Sequence, residues 1–145
     1  MRVKTYIGTK IIQAEPCPAW KDAGGHKTGD PGYRVRYPDG YESWSPKNVF
    51  EEAYRQTDGL PFGLAIEAAK KGKKIQRAGW NGKNQYVELA TCISYTNAGG
   101  QAINVEHQNI GNAALAFVGT SGVQLGWLAS QADMLADDWR IVGGE

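Results

Sequence analysis

The sequence predicts an α+β protein: an antiparallel sheet with few short helices, preceded by a small β-hairpin-plus-helix domain. Three observations carry this. Short β-forming runs recur between Gly-, Pro- and Asn-rich breaks, helped by 19 glycines. Segments of helical period are few and short. The helices and strands do not alternate as βαβ units, which argues against a parallel sheet.

The elements follow in order. Thr5 to Ala14 reads as a strand, since Tyr6, Ile7, Ile11 and Ile12 are β-formers. A loop from Pro16 to Gly32 follows. Tyr33 to Tyr37 alternates apolar and charged residues, the pattern of a half-exposed strand. Pro38-Asp39-Gly40 is a turn, and Tyr41 to Trp44 is its return strand. Ser45 and Pro46 read as the N-cap and first position of a helix with Val49, Phe50, Ala53 and Tyr54 on one face. This first domain spans residues 1–56.

The second domain spans residues 60–145. It opens with a helix from Phe62 to Lys71, with Phe62, Ile66 and Ala69 on one face, stopped by Gly72. Strands are expected at Lys73–Arg77, Gln85–Ala90, Ile93–Tyr95, Ile103–Glu106, Ala113–Val118, Val123–Trp127 and Trp139–Val142. A short helix from Gln131 to Ala136 carries Ser130 as its cap and Asp133 in its first turn.

Charge and cysteine usage narrow the function. Sixteen basic residues face 15 acidic ones, a formal net charge of +1, so the broad basic field that a DNA or RNA duplex needs is missing. Any anionic partner must be small and held by a few placed cations. Cys17 and Cys92 have no metal-ligand spacing and read as reduced thiols. No run of apolar residues reaches membrane-spanning length, and the start Met1-Arg2-Val3-Lys4 has no apolar signal segment. The expectation is a cytoplasmic protein with no membrane partner, no metal and no cofactor.

Two clusters concentrate chemistry. The first, RAGWNGK at 77–83, sets a guanidinium, an indole, an amide and an ammonium around two glycines. Glycine lets a backbone approach a ligand and point N–H groups at it. Arg77 and Lys83 suit phosphates, the Trp80 face suits a purine, and Asn81 suits a base edge. The same residues also describe a hairpin turn with a core-facing Trp80 and a solvated Lys83. The second cluster, WLASQADMLADDW at 127–139, mixes two indoles with short polar acceptors. Asp133 and Asp137 suit hydroxyls or an amino group. Equally, Ser130 and Asp133 suit a helix cap, and Trp127 and Trp139 suit a core.

Taken with FGLAIE at 62–67, these motifs resemble the second Thoeris anti-defence family of phages, over roughly residues 60–142. This chain has Gly126 and Ala132 where members often carry Pro and Thr, and a longer insert from Thr96 to Asn112. The segment around WSPKNVF at 44–50 is similar to a small phage domain.

The resemblance implies a non-catalytic sponge that acts in the infected bacterial cell. Such proteins bind cyclic ADP-ribose-type messengers made by bacterial TIR enzymes, and some also hold the cyclic di- or trinucleotides of CBASS defence. They assemble as homo-oligomers, commonly tetramers, with pockets between subunits. Carried to this chain, the ligand-binding set is Arg77, Trp80, Asn81, Gly82, Lys83, Trp127, Ser130, Asp133 and Asp137, with no catalytic and no metal residue.

Two rival readings stand beside it. A hydrolase needs an activated nucleophile or a metal, and neither His26, His107 nor Cys92 has motif spacing for either. A protein-interaction module or small phage toxin would use the aromatic face Tyr33, Tyr37, Tyr41 and Trp44, residues that equally suit packing against the Val49/Phe50 helix.

Overall fold

A computed structural model describes residues 2–80, 84–103 and 113–143. The chain divides into two compact units, Met1–Arg55 and Gln56–Glu145. The architecture is α+β, with antiparallel sheets and short helices. No helix among the described residues is long and apolar enough to cross a membrane.

Unit 1 is a three-stranded antiparallel sheet in the order β1 (Gln13–Pro16), β2 (Gly32–Arg36), β3 (Glu42–Pro46), followed by helix α1 (Lys47–Ala53). The hairpin closes as its sequence demands. Gly40 takes φ +89°, and its N–H donates to the Tyr37 carbonyl at 2.9 Å. The core is small: among the described residues of this unit, Ala19, Gly32 and Val35 are buried. Aromatic stacking supplements it, with Phe50 lying 4.1 Å from Tyr33 and 4.9 Å from Tyr54. Tyr33 is thereby engaged in the unit's own packing, whereas Tyr41 is exposed.

Two local expectations fail here. The strand expected over Thr5–Ala14 begins only at Gln13, and Tyr6 and Ile7 are exposed. Strand propensity acts only where a partner exists. The partner β2 ends at Arg36, which pairs with Gln13, and the chain beyond it enters the turn. Ser45 does not cap α1 either. It pairs with Tyr33 in the ladder, and Pro46 takes the cap position without a side-chain hydrogen bond. Val49 is exposed, so the helix buries Phe50 only in part.

Unit 2 holds α2 (Phe62–Lys70), β4 (Ile75–Arg77), β5 (Tyr86–Ala90), β6 (Tyr95–Thr96), β7 (Ala102–Ile103), β8 (Ala114–Gly119), β9 (Gly122–Leu125), α3 (Gln131–Met134) and β10 (Trp139–Ile141). Five strands form an antiparallel sheet in the order β10-β4-β5-β8-β9, and β6 pairs with β7. Residues 104–106 of the expected fourth strand of this unit lie outside the described residues.

Helix α2 ends as the Gly72 signal predicts. Gly72 takes φ +89°, its N–H donates to Ala69, and the Lys73 N–H donates to Ala68. This pair of bonds is a Schellman motif. The helix lays Ala65, Ala68 and Ala69 against Ile75, Val87, Leu60 and Trp139, forming one buried cluster. Small side chains at three helix positions allow this close approach. The expected face Phe62, Ile66 and Ala69 is correct for Ala69, while Phe62 and Ile66 pack partly buried at the cluster's edge. Leu60 and Trp139 exchange backbone hydrogen bonds of 2.7 and 3.1 Å, tying the entry of α2 to the last strand.

Candidate functional site

The site is built where β4 ends and β10 begins. These strands are antiparallel neighbours with Arg77 opposite Trp139, so two segments far apart in sequence meet at one point. The chain leaving Arg77 turns at once. The Trp80 N–H donates to the Arg77 carbonyl at 3.3 Å, and the Ala78 N–H donates to the Asp138 carbonyl at 3.0 Å. This turn carries the Trp80 indole toward the sheet face.

Three indoles converge there. Trp80 lies 5.3 Å from Trp139 and 6.0 Å from Trp127, and Trp127 lies 6.1 Å from Trp139. All three pairs meet edge-to-face, at 72–77°, the geometry that sets a positive ring edge on a negative face. Phe117 adds a fourth ring, 5.5 Å from Trp80. Only Trp139 is fully buried; Trp80 and Trp127 are half-buried and keep ring surface in reach of a ligand. Trp127 lies beyond the end of β9, past a bend at Gly126. Gly126 has φ +80° and donates its N–H to the Leu115 carbonyl at 2.9 Å. A proline there provides neither feature, so this loop is shaped by the glycine.

A polar clasp caps the indoles. Arg77 Nε donates to Asp138 Oδ1 at 2.9 Å, and its Nη1 donates to Asp133 Oδ1 at 3.0 Å. Asp138 Oδ2 accepts the Gly79 N–H at 3.2 Å. Asp133 and Ser130 form a capping box: each accepts the other's backbone N–H on its side chain, at 3.1 Å both ways. The Trp139 indole N–H donates to the Asp133 carbonyl at 2.8 Å. Desolvation pushes the Asp133 carboxyl up, but hydrogen bonds from Ser130 and Arg77, aided by the Trp80 side chain, outweigh it and hold the pKa below the ordinary value. The Arg77 guanidinium likewise holds Asp138 low, and the two carboxylates hold Arg77 high.

The structure therefore gathers Arg77, Trp80, Trp127, Ser130 and Asp133. It also distributes their work. Ser130 caps α3, and Asp133 serves that cap and Arg77 together. Two of the five guanidinium donors of Arg77 are used, and the rest find no acceptor among the described residues. Asp137 is exposed, and its carboxylate has no partner among the described residues. Asn81, Gly82 and Lys83 lie outside the described residues. Asp138 is the member that sequence reasoning missed. Asp137 and Asp138 read as two adjacent acids, and only the pairing of β10 with β4 sets the second of them beside Arg77.

Fold and site together define a class: a small α+β domain with half-exposed indoles and an arginine–carboxylate clasp at one end of an antiparallel sheet. A family model described as the Thoeris anti-defense 2-like domain matches residues 60–142. Thoeris anti-defense 2 of Bacillus phage SP01 is 34% identical over 86 residues, which covers 57% of this chain and 94% of that relative. The chain belongs to the Thoeris anti-defense 2-like family, a phage anti-defence family. The matched residues fall within unit 2.

Proposed function

We propose that unit 2 binds a cyclic ADP-ribose-type signalling nucleotide and sequesters it without cleavage, keeping an immune messenger from its effector in the infected cell. The single observation that carries this reading is the pair of half-exposed indoles, Trp80 and Trp127, fixed beside an arginine whose remaining donors find no acceptor among the described residues. Membership of an anti-defence family supports it.

Trp80 and Trp127 wall the purine, a stacking worth about 1–3 kcal/mol per base. Lys83 and the Gly82 backbone take the phosphates, together with the remaining donors of Arg77. Asn81 and Asp137 take hydroxyls or the base edge, and Ser130 and Asp133 shape the rim. Nanomolar sequestration needs about −12 kcal/mol, which a ligand of this size supplies only when largely enclosed. A second copy of the chain completes the enclosure, as a homo-oligomer. Leu128 and Leu135, 89% and 77% exposed around the second cluster, are apolar surface suited to such a contact. Cyclic di- and trinucleotides share the base-plus-phosphate chemistry and are the second ligand class for the same assembly.

Calorimetry with cyclic ADP-ribose isomers tests the proposal. The expected result is tight binding by the intact chain and at least about fivefold weaker binding by Trp80→Ala, the lower edge of the stacking range. Unchanged affinity in that variant removes Trp80 from the site. Native mass spectrometry of the complex reads subunit number and messenger count together.

A further inference from the structure

Gly79 and Asp138 fit each other closely. Within the turn that follows β4, a Cβ built on Gly79 would stand 3.3 Å from Asp138 Oδ2, with no other heavy atom of the described residues, its chain neighbours aside, within 4 Å. The same oxygen accepts the Gly79 N–H at 3.2 Å. The other oxygen holds Arg77 Nε at 2.9 Å, and the Asp138 carbonyl accepts the Ala78 N–H at 3.0 Å. One residue thus grips three consecutive residues, Arg77, Ala78 and Gly79, immediately before Trp80. It is itself joined to Trp139, whose indole is one wall against which Trp80 rests.

We infer that Asp138 is a positioning residue of the candidate site: it fixes the 77–79 turn, and through that turn sets the Trp80 indole against Trp127 and Trp139. The inference rests on the binding role proposed above only for its consequence on affinity; its structural content stands apart from any ligand. Asp138 touches no ligand in this account. Its carboxylate is shared between a side chain and a backbone N–H, and neither alone defines the turn. Arg77 fixes the turn's origin and Gly79 its crest. Removing the carboxylate frees the crest and leaves Arg77 held by Asp133 alone. The indole then keeps its contacts in composition but loses their fixed angles.

The test uses the full chain and three variants: Asp138→Ala, Asp138→Asn and Gly79→Ala, with the double variant Gly79→Ala/Asp138→Ala. Coupled indoles at 5–6 Å give an exciton band in far-UV circular dichroism that reports their mutual angles. Measured well below each variant's melting temperature, this band should diminish in Asp138→Ala and less so in Asp138→Asn, which keeps an oxygen for Gly79. Gly79→Ala should diminish it mildly, because its methyl group displaces the carboxylate, and should add nothing once Asp138 is already alanine. Affinity for cyclic ADP-ribose isomers should weaken about tenfold in Asp138→Ala, mid-range for residues sharing one hydrogen-bond network. If Asp138→Ala fails to fold, Asp138→Asn and Gly79→Ala still carry the spectroscopic comparison.

A residue that merely stabilises the fold lowers the melting temperature and leaves the folded protein's exciton band intact. That result, or additive effects in the double variant, overturns the inference. Failure of the intact chain to bind any isomer overturns the proposed function instead, and the exciton band still decides the role of Asp138.

Discussion

Each unit of this chain builds on tryptophan, and the two arrangements differ in what they leave over. In unit 1 a Cβ on Gly32 would collide with both the Trp44 ring and the Ser45 carbonyl, so the indole lies directly on the backbone. Its N–H donates to the Cys17 carbonyl at 2.7 Å, pinning the loop before β2. Every polar capacity of that indole is used, and its surroundings are a short sheet with two buried residues. In unit 2 three indoles meet, one is buried, and two keep open surface beside an arginine with donors that find no acceptor among the described residues. A lone tryptophan whose polar group is satisfied by nearby backbone holds a fold together. Convergent tryptophans that share one buried member and expose the others present a surface. The tryptophan count alone does not separate the two roles; the geometry of each does.

The sharpest way to break this comparison is to remove the buried member. Trp139→Ala should cost about 3–5 kcal/mol, the usual range for a large buried aromatic. Urea denaturation should show the loss together with collapse of the indole exciton band. A cost near zero would mean that Trp139 is not the support for the other two.

Gly32→Ala is the matching test in unit 1. The inserted methyl group meets backbone as well as ring, and overpacking of this kind typically costs about 1–3 kcal/mol. The loss should appear in the unfolding of unit 1, read by fluorescence of Trp44, while the affinity of unit 2 for cyclic ADP-ribose isomers stays unchanged. A fall in that affinity would deny that the two tryptophan arrangements serve separate ends.

Ser130→Ala should cost about 1 kcal/mol, as expected for an N-cap, and should loosen Asp133 from its second partner. Thermal unfolding measures the first effect and the exciton band the second.

What the sequence revealed and what it concealed follow from distance along the chain. The capping of α3 by Ser130 and Asp133 was legible because the two residues are three apart and bond each other's backbone. The Gly72 stop and the Pro38-Asp39-Gly40 turn were legible for the same reason. The strand expected at Thr5–Ala14 was misplaced because a strand needs a partner, and the length of β2 is not written in the residues that pair with it. Ser45 carried a cap signal and a strand position at once, and ladder pairing with Tyr33 prevailed. At the candidate site, residue types were legible but their alliances were not. Arg77 looked like a free cation for phosphate, whereas Asp138, 61 residues away, and Asp133 take two of its donors. Nothing local distinguishes Asp138 from its neighbour Asp137.

A smaller effect sharpens the clasp itself. Asp133 and Asp138 both titrate below the ordinary carboxylate value in the folded chain. Groups with a depressed folded pKa stabilise above the unfolded value, near 3.9 for Asp, and that stabilisation is lost as the pH falls through the lower folded value. Unit 2 should therefore hold its exciton band and melting temperature from neutral pH down to about pH 4 and lose both progressively below it. Asp138→Asn should flatten part of that acid dependence. An unaltered profile in this variant would show that the Arg77–Asp138 contact contributes nothing to stability.

The central claim, capture without cleavage, is tested most directly by recovery of the messenger. The purified chain is incubated with a cyclic ADP-ribose isomer, freed of unbound nucleotide, and heat-denatured, and the released small molecule is identified by mass spectrometry. Release of the intact messenger in stoichiometric amount is the predicted result. No retained nucleotide, or a hydrolysed product in its place, would show that this domain is not a sponge for that signal.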